Sequence, residues 1–297
     1  VFGDQDIAAY IRSRAAGSIA VIGGLYFSQR SSIANLPQII LVELLSQLLA
    51  KDYTYVVYHP CDEAGLSPDI LKAVEKQGFI NIAPKGARPI FAVDMRSPVI
   101  VFKNVDTVIK HPLNKNRAVL AAVEKAHDKM LSMLTSIYPG ELIISYNSGI
   151  MYHKIINLIA RINKVSPLPY AEKSYGKYMA VPFGKLLEGS AVPNTVTKSM
   201  HTEKYFYRDV SDFTIEEKSY YSTLENQVRT IKSFNRPVIL VDDLLHKGYR
   251  MNEIDPILKS NDVEVVETVV GVQTGRGRDL MTIKERTVDS AYFLPNL

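Results

Sequence analysis

Apolar residues along this chain recur with two periods, and the switches between them mark its elements. GSIAVIGGLYF and YTYVVYHP read as strands, rich in β-branched and aromatic residues. Between them LPQIILVELLSQLLAK places apolar side chains at helical spacing. SPDILKAVEKQGF predicts a second helix, with Ser67 as N-cap, Pro68 in the first turn and Gly78 closing it. RPIFAVDM and SPVIVFKN predict two short strands. HPLNKNRAVLAAVEKAHDKMLSMLTSIYPG then reads as one long helix broken at Pro139-Gly140, packing on both halves of the molecule.

From Glu141 onward the expected order is strand, helix, long irregular stretch, helix, strand, helix, strand, strand. ELIIS leads into GIMYHKIINLIARIN, and TLENQVRTIKSFNR, PVILV, MNEIDPILKSN and EVVETVVGVQT follow the irregular segment. Strands alternating with helices predict an α/β protein of two α/β units, residues 1–105 and 106–297, the second built on a mostly parallel sheet. Ligands of such sheets sit outside the carboxyl ends of the strands, which points to the loop after Val241. The stretch from Lys164 to Tyr220 is polar, dotted with Tyr, Lys, Thr and Pro, and too long for an ordinary connection.

Composition narrows the classes. At 46% hydrophobic and 22% charged residues the chain is globular rather than disordered. Its longest apolar runs are interrupted by Glu43 and Gln47, short of the roughly 18 clean residues of a membrane span. The opening VFGDQDIAAYIRSR has acids and no apolar core, so no signal peptide is expected, and it starts with Val, as a segment of a longer protein would. The single cysteine, Cys61, excludes an internal disulfide and suits the cytoplasm. A net charge of +4 permits anionic small-molecule ligands without arguing for nucleic acid. His111, His127 and His153 show no spacing with acids that suggests a metal site.

RPVILVDDLLHKGYR, residues 236–250, drives an apolar strand into Asp242-Asp243 and surrounds the exit with positive charge. A carboxylate pair can accept from two vicinal hydroxyls, and a turn of amides feeding a helix suits a phosphate. This arrangement resembles the PRPP-binding motif of type I phosphoribosyltransferases. The resemblance implies a fold of that type and catalytic roles for Asp242 and Asp243, on the ribose hydroxyls, and for His246, as a base. It implies a 5′-phosphate site at Lys247, Gly248, Tyr249 and Arg250, where family members usually carry threonines. Tyr146, Asn147, Ser148 and Gly149 fall where the family has its pyrophosphate loop. Lys198 and Lys204 fall on its mobile loop, and Arg276 and Arg278 on a loop near the base or pyrophosphate. Mg²⁺ would arrive with the substrate, phosphorylated small molecules such as PRPP or a nucleotide would be the partners, and transfer of phosphoribose with release of pyrophosphate would be the reaction. Lys247 and Arg250 in place of hydroxyls leave a non-catalytic PRPP or nucleotide module, or a self-associating scaffold domain, as the competing classes. The bland reading makes the acids a helix cap and a solvated neighbour.

The first unit is similar, more faintly, to the second half of GNAT-type acetyltransferases through its strand, loop, long helix, strand and helix ending in EKQGF. The loop in YFSQRSSIANLPQ has no glycine, so the backbone approach to a CoA pyrophosphate usual in that family is not expected.

Overall fold

The structure, a computed structural model, describes residues 17–27, 35–103, 109 and 112–297. It divides into two compact units, Val1–Asn147 with Leu294–Leu297, and Ser148–Phe293. The boundary expected at residue 105 therefore differs from the observed one. The long helix and the strand after it belong to the first unit, where their packing partners lie.

In the first unit, strands β1 (Ile19–Ile22) and β2 (Tyr55–Tyr58) pair in parallel around helix α1 (Leu36–Ala50). Helix α2 (Pro68–Lys76) leads to β3 (Ile80–Asn81). The two strands expected over 88–104 are one, β4 (Phe91–Lys103). Its first part runs antiparallel to β2 and its last part parallel to β5 (Glu141–Asn147), with a register shift between Asp94 and Val99. A bulge of this kind lets one strand serve two partners. Helix α3 (Arg117–Ile137) begins where the Asn116 side chain accepts from the amides of Ala118 and Val119, and ends before Pro139-Gly140 as expected. It packs against α2 and β5. Much of the loop concerned in the acetyltransferase likeness, residues 28–34, lies outside the described residues, as does His111.

The second unit is built on a five-stranded sheet in the order β12-β11-β10-β6-β7. These are β6 (Met179–Pro182), β7 (Val196–Thr197), β10 (Val238–Leu245), β11 (Val265–Thr274) and β12 (Val288–Leu294). The pairs β10–β11, β10–β6 and β6–β7 are parallel, as the alternation of strands and helices predicts. A separate hairpin, β8 (Thr202–Phe206) and β9 (Phe213–Glu217), emerges from the stretch read as irregular. Helices α4 (Ser148–Asn163), α5 (Leu224–Ser233), α6 (Tyr249–Ser260) and α7 (Gly275–Ile283) complete the unit. Val238, Leu240, Val181 and Val270 of the sheet meet Val228 and Ile231 of α5 and Ile254 and Leu258 of α6 in one buried core. That core fixes the central strand β10, and so fixes where its carboxyl end opens. Among the described residues, no helix is long and apolar enough to cross a membrane.

Candidate functional site

The central strand does not stop at its acids. β10 stays in register with β11 through Asp242, opposite Val270, as far as Leu245, opposite Gln273. Leu244-Leu245 continue the ladder, so Asp242 lies inside the sheet's end and is only 6% exposed. Its Oδ1 accepts from Arg250 Nη1 at 3.0 Å and from the amide of Asp243 at 2.8 Å. Among the described residues, no hydrogen bond reaches Oδ2. Asp243 turns the other way: its two oxygens accept the amides of Lys185 at 2.7 Å and Leu186 at 2.9 Å. The loop after β6 can close this tightly because residue 184 is glycine. A Cβ there would stand 2.6 Å from Asp242 Oδ1 and 2.7 Å from the Asp243 amide nitrogen.

Burial pushes the Asp242 carboxyl up, to about 7, with Arg250 pulling against it and the neighbouring Asp243 adding to it. Burial raises Asp243 as well, opposed by the Leu186 and Lys185 amides. Two adjacent carboxyls out of water share their protons as a pair, so near neutral pH this strand end readily holds one.

The turn His246–Gly248 follows. Gly248 sits at φ +64°, the left-handed region that glycine enters without a steric penalty, and it N-caps α6. α6 has no acid in its first turn and no side-chain cap, so the positive end of its dipole is uncompensated. Arg250 projects from that first turn to Asp242, and its Nε is buried with no hydrogen-bond partner among the described residues. Lys204, from β8, lies 4.3 Å above the Phe213 ring and 5.5 Å from the Tyr249 ring. Loss of water and then the charge of Arg250 lower its amine from the usual lysine range, while Asp242 draws it back. His246 Nδ1 is 3.0 Å from Thr274 Oγ1. Burial, Arg276 and Lys247 together hold the imidazole below its ordinary pKa, so it is neutral at pH 7.

The structure thus gathers Asp242, Asp243, Gly248, Tyr249, Arg250 and Lys204 around one strand end, with His246, Lys247 and Arg276 beside it. Other expected residues stand on different elements from those expected. Tyr146–Gly149 form no loop: β5 ends at Asn147 and α4 begins at Ser148. Tyr146 is fully buried in the first unit, where burial raises its hydroxyl far above the usual range. Arg276 and Arg278 lie on the first turn of α7 rather than on a loop, because the Thr274 hydroxyl accepts the Gly277 amide at 3.2 Å and starts a helix there. Arg278 extends over Phe293, 5.0 Å from its centroid. Lys198 lines a different cleft, described below. Gly184, Lys185, Leu186 and Thr274 are contributors that the sequence reading missed. Thr before Gly-Arg-Gly is an N-cap signal that could have found the last of them.

No protein-family model matches this chain, and no curated protein does. Solved structures that it resembles include adenine phosphoribosyltransferase from Thermoanaerobacter pseudethanolicus, at 15% identity and a TM-score of 0.27, over 48% of this chain and 80% of that one. Another is hypoxanthine phosphoribosyltransferase from Trypanosoma cruzi complexed with its product IMP, at 13% identity and a TM-score of 0.27, over 50% of this chain and 71% of that one.

Proposed function

We propose that the second unit binds a phosphorylated ribose compound, PRPP or a nucleotide, at the carboxyl end of β10. One observation carries the reading. Arg250 bonds the buried Asp242 carboxylate, and Lys204 lies over Tyr249 beside a helix N-terminus that has no side-chain cap. Positive charge is in excess there, and the unpartnered Arg250 Nε is a donor that a phosphate oxygen would satisfy. Asp242 Oδ2 is the acceptor left for a ribose hydroxyl. Asp243 already spends both oxygens on loop amides, so a vicinal diol finds one carboxylate rather than two. That favours a ligand-binding module over a transferase. Mg²⁺ would enter on the diphosphate of PRPP, as this hard cation usually does with phosphate ligands.

The test is calorimetric titration of PRPP with Mg²⁺, and of AMP, into the wild type and an Asp242→Asn/Asp243→Asn variant. A Kd on the order of micromolar that the variant loses supports the site. Absence of heat with both ligands at millimolar concentration refutes it. An assay for pyrophosphate release then separates binding from turnover.

A further inference from the structure

Lys198, expected on the mobile loop, lines a cleft to which Asp242, Asp243, Arg250 and Lys204 contribute nothing. The cleft holds about 820 Å³, within the span of small-molecule sites, roughly 300–1,000 Å³. Its walls are tied in place by buried amides. Asn194 Nδ2 donates to the carbonyls of Ser166 at 2.7 Å and Leu168 at 2.8 Å. Asn163 Nδ2 donates to Thr195 Oγ1 at 3.0 Å, and its Oδ1 accepts the Tyr178 amide at 2.9 Å. A site held this way needs little ordering when a ligand enters.

The lining divides by chemistry. Tyr170, on backbone at φ +57°, and Tyr175, 66% exposed, stand open to solvent at the cleft. A tyrosine in the left-handed region is uncommon and strained, and here the ring it presents packs into no core. Lys198 supplies the charge, and His201 adds an imidazole. Lys198 has no ion-pair partner among the described residues. Glu188 Oε1 lies 3.0 Å from His201 Nδ1 and 2.9 Å from Lys218 Nζ. The carboxylate fixes the ring proton on Nδ1 and leaves Nε2 without that partner. Tyr221 stacks on the imidazole at 3.8 Å and 22°, holding its plane. Among the described residues that line the cleft, none is acidic.

We propose that this cleft binds a small planar aromatic carboxylate, its ring against the tyrosines and its anion on Lys198. The proposal stands independently of the phosphate-binding reading. Benzoate is the probe, with benzamide and cyclohexanecarboxylate as the neutral and non-aromatic controls, followed by saturation-transfer NMR and calorimetry on the full chain. Benzoate should bind about tenfold more tightly than benzamide, the scale of one charge-assisted hydrogen bond, and about two- to tenfold more tightly than cyclohexanecarboxylate, the scale of an aromatic ring contact. Lys198→Met should abolish the preference over benzamide and Lys198→Arg keep it. Tyr175→Ala should abolish the preference over cyclohexanecarboxylate. Arg250→Met should leave benzoate affinity within about twofold, which separates this cleft from the strand-end site. Lack of benzoate binding at millimolar concentration overturns the proposal. So does binding that survives both Lys198→Met and Tyr175→Ala in variants with unchanged melting temperatures.

Discussion

Two buried acids of the second unit meet arginine on opposite terms. Asp255, on α6, is 2% exposed, yet all its needs are met. Its Oδ1 accepts from Arg286 Nη2 at 2.6 Å and Nε at 2.9 Å, and Oδ2 faces Lys259 Nζ at 3.0 Å. Burial would raise this carboxyl, but the hydrogen bonds from Arg286 and Lys259 outweigh it and hold it below the usual carboxylate range. Asp242 has one guanidinium hydrogen bond, an oxygen with none and a second carboxyl beside it, and burial wins. Depth is therefore a poor guide to a functional acid. The balance of partners decides, because a satisfied ion pair braces the fold while an unbalanced one is left to answer a ligand.

The largest expected effect tests the braced side of this comparison. Asp255→Ala leaves Arg286, whose side chain is itself largely buried, without its counter-charge. Breaking a buried pair from one side costs about 3–5 kcal/mol. Urea unfolding should show that loss, while PRPP titration of the folded variant stays unchanged. A loss below about 1 kcal/mol would place Asp255 among ordinary surface ion pairs. The contribution of Asp255 also has a defined pH window. Its folded pKa is lowered, so the stability is present above the unfolded value, roughly 3.9, and is lost as pH falls through the folded one.

Arg250→Met should act the other way round. Removing the guanidinium takes one charge-assisted contact from a phosphate, worth about 1.5–3 kcal/mol, or roughly 10- to 100-fold in Kd for PRPP. Stability should change less than in Asp255→Ala, because Asp242 can take up a proton at neutral pH instead of remaining a bare charge. Equal destabilisation by the two variants would erase the distinction between the acids.

Much of this contrast was legible in the chain and some of it was not. The helices at Leu36–Ala50 and Arg117–Ile137 follow from apolar periodicity and from Pro-Gly punctuation. β6 was missed: MAVP has four residues, all buried, and offers no alternation to read. α7 was missed because two glycines in GRGRD weaken the helical pattern, and only the Thr274 cap announces it. The acid pair stood out as chemistry at a strand end. The clamp on Asp243 did not, because it is made of the Lys185 and Leu186 amides, and backbone donors leave no mark on side-chain sequence. The supposed loop at 146–149 failed for a related reason. Before Gly149 it holds no glycine or proline to stop a strand, so β5 runs to Asn147 and passes straight into a helix.

The smallest expected effect is a pH dependence that isolates Asp242. Its folded pKa is raised, so its contribution to stability is fully present below the unfolded value, roughly 3.9, and is lost as pH rises toward about 7. Asp243, also raised, works in the same direction. His246, lowered, works against it at the acid side, because the folded state resists protonation below the ordinary histidine pKa. Arg250 and Lys204 are the cations beside the pair. Comparing wild type with Asp242→Asn cancels the histidine, since it is present in both. Between pH 6 and pH 7 the wild type should lose stability relative to the variant by an amount on the order of 1 kcal/mol, about one pH unit of linkage. Denaturant melts at the two pH values give the difference directly. A wild type that instead gains on the variant as pH rises would mean that Arg250 dominates burial, and that Asp242 is a second Asp255 rather than its opposite.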